Sequence, residues 1–283
     1  MRLFKIELTK AVKNKYFISA LTVGVLLCLC SAGYSVGSYF DALEKSSLIA
    51  NESGVLLNPM SASHTLYNRW IGQEWVSPSS SLFFLLLPLI SALPYSRSYA
   101  EEVKSGYLNN IFIRTHKSKF LISKFFSAFS VGAVVVAIPL ILNVMTVSAF
   151  VPAVKPNVYC DVYYNMPVNC VFSEMFYKMP LLFVLLKIAL ISFYAGCFSV
   201  LGLSIGMLFK NKFVAVLFPF VFMLLFNYIS NVFSPDSELS PIQFLYGGGD
   251  VLSNIYVLIT ELLVLFFVPL FITKAVAMKK DAL

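Results

Sequence analysis

Charge is what this sequence has least of. Asp, Glu, Lys and Arg make up 12% of its 283 residues, about half the share in ordinary globular domains. A soluble fold needs charged side chains over its surface, so an ordinary soluble protein is excluded. Disorder is excluded as well, because disordered chains are polar and poor in aromatics, whereas this one has 27 Phe and 15 Tyr. Histidine is nearly absent, with only His64 and His116. The sequence has no G-x-x-x-x-G-K-[ST] loop and no H-E-x-x-H pair, so P-loop ATP hydrolysis and that zinc chemistry are not available to it. What is abundant is apolar: 59% of residues are hydrophobic and the mean hydropathy is +0.81.

These residues gather in long charge-poor runs. A helix needs about 20 mostly apolar residues to cross a bilayer core of about 30 Å. Six runs qualify, at approximately 16–39, 76–97, 121–150, 179–209, 213–234 and 252–274. A transmembrane barrel would alternate apolar and polar residues, and runs such as Leu82-Phe-Phe-Leu-Leu-Leu do not. The expected fold is therefore an all-α integral membrane protein, one transmembrane domain over residues 1–283, with loops at 40–75, 151–178 and 235–251 on one side.

The bases orient it. Five lie before residue 16, six in Arg97–Lys124, two at Lys210 and Lys212, and three from Lys274 to Lys280; only four fall in the opposite loops. Basic loops stay in the cytoplasm, so both termini are expected there. The net charge of +7 follows from this bias, and no nucleic-acid motif accompanies it. In this topology His64 and His116 face opposite sides and cannot share a metal.

The run from Phe17 to Tyr39 is longer than a signal-peptide core and no A-x-A site follows it, so a retained first span is expected. Before it, Phe4, Leu8, Ala11 and Val12 share one helical face, with Arg2, Lys5, Glu7 and Lys13 elsewhere. That pattern predicts an amphipathic helix lying in the inner interface. Cys28, Cys30 and Cys197 sit inside spans as apolar fillers. Cys160 and Cys170 share the second outer loop, where an oxidising compartment favours a disulfide. Trp70 and Trp75 are expected at the membrane interface.

Between the second and third spans, Glu102 and Gly106 stand four apart, followed by Tyr107-Leu108, Ile111-Phe112-Ile113, Arg114 and Phe120-Leu121-Ile122-Ser123-Lys124. This segment resembles the first cytoplasmic loop of type-2 ABC transporter permeases: Glu, three residues, Gly-Thr-Leu, a basic residue and Phe-Leu-x-x-Lys. Tyr107 stands where Thr is usual. The opening Leu3-Phe-Lys-Ile-Glu-Leu-Thr-Lys10 resembles that family too. The resemblance implies a coupling helix seated in a groove of a separate ATPase subunit. It further implies two ATPase copies that bind ATP and Mg, a second permease copy or homologue, and a bacterial plasma membrane. The chain itself would hold no cofactor or metal and would not be an enzyme. Tyr107, Leu108, Ile111 and Phe112 would anchor the groove, with Glu101, Glu102 and Arg114 as polar contacts.

Two charges lie deep in the spans, Lys187 and Glu261. Such charges are costly and face a partner or a watery cavity. They are expected to pair with each other; contact with substrate and snorkelling of Lys187 are the other readings. Gly202-x-x-x-Gly206 permits close helix packing, and Pro88, Pro94, Pro139 and Pro219 are expected to kink their spans.

The expected function is export of an amphipathic or lipophilic substrate, such as a peptide, antibiotic or drug. An ion-coupled secondary transporter and a non-transporting sensor or immunity subunit on the same scaffold remain as alternatives. An intramembrane protease is the weaker one: Glu101-Glu102 resembles the start of an E-E-x-x-x-R motif, but Gly106 stands in the Arg position.

Overall fold

The computed structural model describes residues 2–53, 65–74, 76–156, 166, 170–233, 240–245 and 254–278. Among them every regular element is a helix. In chain order these are α1 (Arg2–Val12), α2 (Lys15–Ser53), α3 (Leu66–Arg69), α4 (Pro78–Ala92), α5 (Ser98–Lys104) and α6 (Tyr107–Arg114). They continue as α7 (Lys117–Ser148), α8 (Ser173–Lys178), α9 (Pro180–Phe209), α10 (Lys212–Phe233), α11 (Pro241–Leu245) and α12 (Ile255–Met278).

Five helices are long and apolar enough to cross a membrane: α2, over Lys15–Lys45, and α7, α9, α10 and α12. They account for five of the six expected spans and give the chain the character of a multi-pass membrane protein. The second expected span differs. α4 has 15 residues, about 22 Å of helix, and at Leu93 the chain leaves the helix for a turn that runs to Arg97. Pro94 lies in that turn. The first span also differs, because α2 continues through 39 residues, well into the expected outer loop. Pro88, Pro139 and Pro219 lie inside α4, α7 and α10, and these helices continue past them.

α7 and α9 form the centre of the bundle. They pack on each other, α2 and α1 lie against α7, and α10 and α12 lie against α9. Small residues allow the close approaches. A Cβ on Gly132 of α7 would stand 2.4 Å from Ser199 Cβ, and one on Gly202 would stand 2.3 Å from the Ala215 carbonyl oxygen of α10. The Gly202/Gly206 pair thus packs against Ala215 within this chain. Apolar burial between helices gains little where the alternative neighbour is lipid, so such packing and interhelical hydrogen bonds carry the association. Ser204 Oγ donates to Pro269 O at 2.9 Å and Ser199 Oγ to Ala128 O at 2.9 Å. Asn143, buried in α7, donates to Cys28 O at 2.7 Å and accepts from the Ile71 N–H at 2.9 Å.

That last contact draws the segment after α3 into the bundle. Trp70 is fully buried there rather than at an interface, and a Cβ on Gly72 would lie 2.2 Å from its ring. Trp75 lies outside the described residues. At the other end, α9 and α10 are joined by a tight turn. Lys210 takes a left-handed φ of 52°, and Asn211 Oδ1 accepts from the Phe213 N–H at 2.9 Å, capping α10.

Candidate functional site

The segment from Ser98 to Arg114 folds as two short helices, α5 and α6, joined through Ser105 and Gly106. Gly106 has a φ of +69°, and a Cβ there would meet nothing within 4 Å. The glycine therefore serves the left-handed backbone and not a tight space. This turn separates the two motif positions into different roles.

Glu102 is the buried one. Its Oε2 accepts from Lys124 Nζ at 2.7 Å, and its Oε1 accepts from Lys10 of α1. Lys124, fully buried in α7, also lies 3.2 Å from Glu7 Oε2 and 3.5 Å from Tyr95 Oη. Tyr95, in the turn after α4, donates to Glu7. Two carboxylates and two ammonium groups so meet beneath α5, with no net formal charge. The arrangement is self-compensating, as a buried charge must be. Lys10 is half-buried, which disfavours its charge. The hydrogen bond and charge of Glu102, with Glu7 behind it, outweigh that burial and hold its pKa above the usual lysine value.

The cluster corrects two expectations. Glu102 is a buried tie between α1, α5 and α7, not a rim contact for a partner. Glu7, expected off the apolar face of α1, points into the bundle and is 2% exposed. The sequence held one signal for this. Lys124 lies inside the boundaries of the third expected span, where a lysine requires a compensating partner as much as Lys187 does. Glu7 and Tyr95 carried no such signal.

The face that α6 offers also differs from expectation. Leu108, Ile111 and Phe112 share one helical face by their spacing, and that face turns inward. Leu108 is 4% exposed, Ile111 and Phe112 pack against the core, and the Phe112 ring meets Phe120 edge-on at 6.0 Å. Tyr107 and Arg114 remain outside, joined by Asn110 and by Ile113, which is 85% exposed. Together with Leu3 and Ile6 of α1 they line a groove of about 620 Å³. Lys10 Nζ lies 4.7 Å over the Tyr107 ring. Glu101 is held locally, accepting from Arg97 Nε at 2.9 Å, while the Arg97 guanidinium stacks 3.5 Å over Tyr16.

No family model and no curated protein matches this chain.

The intramembrane charges part company. Glu261 Oε2 accepts from Tyr194 Oη at 2.9 Å, so its partner is a tyrosine of α9 and not Lys187, which stands about two turns earlier on that helix. Glu261 Oε1 is buried and accepts no hydrogen bond among the described residues. The carboxylate forms part of the wall of a pocket of about 360 Å³ between α10 and α12. Cys160 lies outside the described residues, and with it the expected bridge to Cys170.

Proposed function

We propose that this chain is the membrane-spanning subunit of an ATP-driven exporter of the type-2 ABC class, coupled to a separate ATPase subunit through α5 and α6. The feature that supports this reading is the segment Ser98–Arg114. Two short helices follow the second apolar run, the Glu102 carboxylate ties them to α1 and α7, and α6 leaves an exposed edge of Tyr107, Asn110, Ile113 and Arg114 beside a groove. A helix that passes force from a partner needs an exposed contact edge and a rigid tie to the spans, and these two short helices have both. In this reading α4 counts as the second of six crossings, and both termini and α6 lie in the cytoplasm. Two ATPase copies hold the ATP and Mg, and a second permease copy completes the assembly in a bacterial plasma membrane. An aromatic beside a basic residue is a composition common among binding hot spots.

The test uses the exposed positions, because changes at Leu108 would disturb the chain itself. Ile113→Asp and Arg114→Glu should leave membrane insertion and thermal stability unchanged. They should abolish co-purification of the partner ATPase and its stimulation by the permease. Wild-type stimulation in both variants would overturn the assignment.

A further inference from the structure

The α1 helix keeps open a face different from the one its amphipathic pattern suggests. Its apolar side is turned into the chain, where Ala11 is fully buried and Leu8 packs against the core. Its one acid, Glu7, is buried as well, held by Lys124 and Tyr95. Lys5, Ile6, Thr9, Lys10, Val12 and Lys13 stay exposed. By helical spacing Lys5, Thr9 and Lys13 form one row, four residues apart, with Val12 on one side of it and Ile6 and Lys10 on the other. All but Val12 line an open hollow of about 550 Å³. The Lys10 ammonium is taken by Glu102, and the Thr9 hydroxyl donates to Lys5 O at 2.7 Å. Lys5 and Lys13 have no acid partner among the described residues. The exposed face of α1 is therefore cationic and carries no acid.

The level of α1 in the bundle decides which anion this face meets. At its C-terminal end the turn Lys13-Asn14 leads straight into α2, the first long apolar helix. Towards its other end, Phe4 O accepts from Ser127 Oγ at 3.4 Å. Ser127 stands about 15 Å of helix beyond Lys117, inside the apolar run of α7. Both ends of α1 are thus level with the ends of two spans, at the height of phospholipid headgroups. The first turns of α7 reach further out, so a soluble partner approaching from the water meets those before it meets α1. A basic row at this height with apolar side chains beside it fits an anionic lipid surface. Each lysine there adds attraction, and each apolar side chain adds burial among the acyl chains.

We propose that α1 docks on the anionic phospholipids of the leaflet beside it, with Lys5 and Lys13 holding headgroup phosphates while Ile6 and Val12 reach between the acyl chains. This contact ties the charge cluster beneath α5 to the membrane surface, because Glu7 and Lys10 sit on the same helix as the two lysines. It needs no ATPase and stands whether or not the chain is a permease.

The experiment takes the full chain, cysteine-free except for a bimane-labelled Thr9→Cys, in nanodiscs of phosphatidylcholine. A small fraction of nitroxide-labelled lipid is added, either phosphatidylglycerol or phosphatidylcholine bearing the same label. At low salt, quenching should favour phosphatidylglycerol by about tenfold or more, and the preference should fall as salt is raised. Lys5→Gln and Lys13→Gln, both at exposed positions, should each cut it by about fivefold, the effect of one lysine at an anionic surface. The double variant should abolish it, with thermal unfolding unchanged. Lys274→Gln, which removes an exposed base from α12, should leave it as it is. Equal quenching by the two lipids around the unsubstituted lysines would overturn the proposal and leave this face to an acidic protein. A preference kept in the folded double variant would overturn it too. So would a loss in Lys274→Gln as large as in Lys5→Gln, since total charge alone would then be acting. The same holds for a preference abolished by inorganic phosphate but not by sodium chloride of equal ionic strength, which would mark a site for the free ion.

Discussion

Lys124 is the residue on which most of the buried polar chemistry at the α1 end converges. Its ammonium reaches Glu102 at 2.7 Å and Glu7 at 3.2 Å with no exposure to solvent. Removing it leaves Glu102 with Lys10 and Glu7 with the Tyr95 hydroxyl but no ammonium. Lys124→Met should therefore cost roughly 3–5 kcal/mol, the range typical of breaking a buried pair from one side. Glu102→Gln should cost less, since Lys124 keeps Glu7. The double variant should recover part of the loss, with a coupling well above the roughly 0.5 kcal/mol expected of independent sites. Denaturant unfolding in detergent measures all three; additive effects would mean that the contact carries no energy. The same residue shows how the motif should be read. The Glu102–Gly106 spacing is visible in the sequence, but one position supplies a buried charge and the other a left-handed turn.

At the scale of elements, glycines decide which helices can touch. Gly202 brings α9 against α10, where a Cβ would meet the Ala215 carbonyl oxygen at 2.3 Å and Pro219 Cγ at 3.1 Å. Backbone on one side leaves little to yield. Gly202→Val should lower stability by about 1–3 kcal/mol, the usual range for overpacking. Gly33 in α2 provides the control, because nothing lies within 4 Å of a Cβ placed there. Gly33→Ala should be neutral or slightly stabilising through helix propensity. Thermal unfolding of both variants checks this, and equal destabilisation would show that the packing argument is wrong. The shortness of α4 also belongs to this scale. The apolar run from Trp75 to Ser96 is long enough for a span, yet the helix stops at Ala92, and the residues of the turn around Pro94 have other partners. Tyr95 goes to Glu7, Ser96 Oγ donates to Ser199 O at 2.8 Å, and Asn14 Nδ2 donates to Pro94 O at 3.3 Å.

For the molecule as a whole, the decisive question is whether α4 crosses the membrane. If it does, Ser47 at the far end of α2 and Asn110 in α6 lie on opposite sides. Single cysteines at these two positions and at Asn211 and Glu174, in a cysteine-free background, test this in intact cells. A membrane-impermeant thiol reagent should label Ser47→Cys and Glu174→Cys, and should reach Asn110→Cys and Asn211→Cys only after the cells are opened. Labelling of Asn110→Cys together with Ser47→Cys in intact cells would mean that α4 turns back, and would remove α6 from the cytoplasm.

The amino-acid sequence by itself determined the helical class and, to within a few residues, four of the five helices long and apolar enough to cross a membrane; of α2 it gave the start but not the end. It also marked the Gly202/Gly206 pair as a packing seam, whereas a helix at α6 was expected only from the family resemblance. The spans and the seam follow from properties carried by contiguous residues: apolar length and the spacing of small residues. Only the tertiary structure decided which charges meet and which faces stay open. Glu7, Tyr95, Glu102 and Lys124 are separated by up to 117 positions, and no local pattern marks them as neighbours. Leu108, Ile111 and Phe112 are equally apolar whether they face a partner or their own bundle. Glu261 takes Tyr194 because α12 packs on α9 at that level, and that register is set by side-chain fit between helices rather than by the hydropathy of either one.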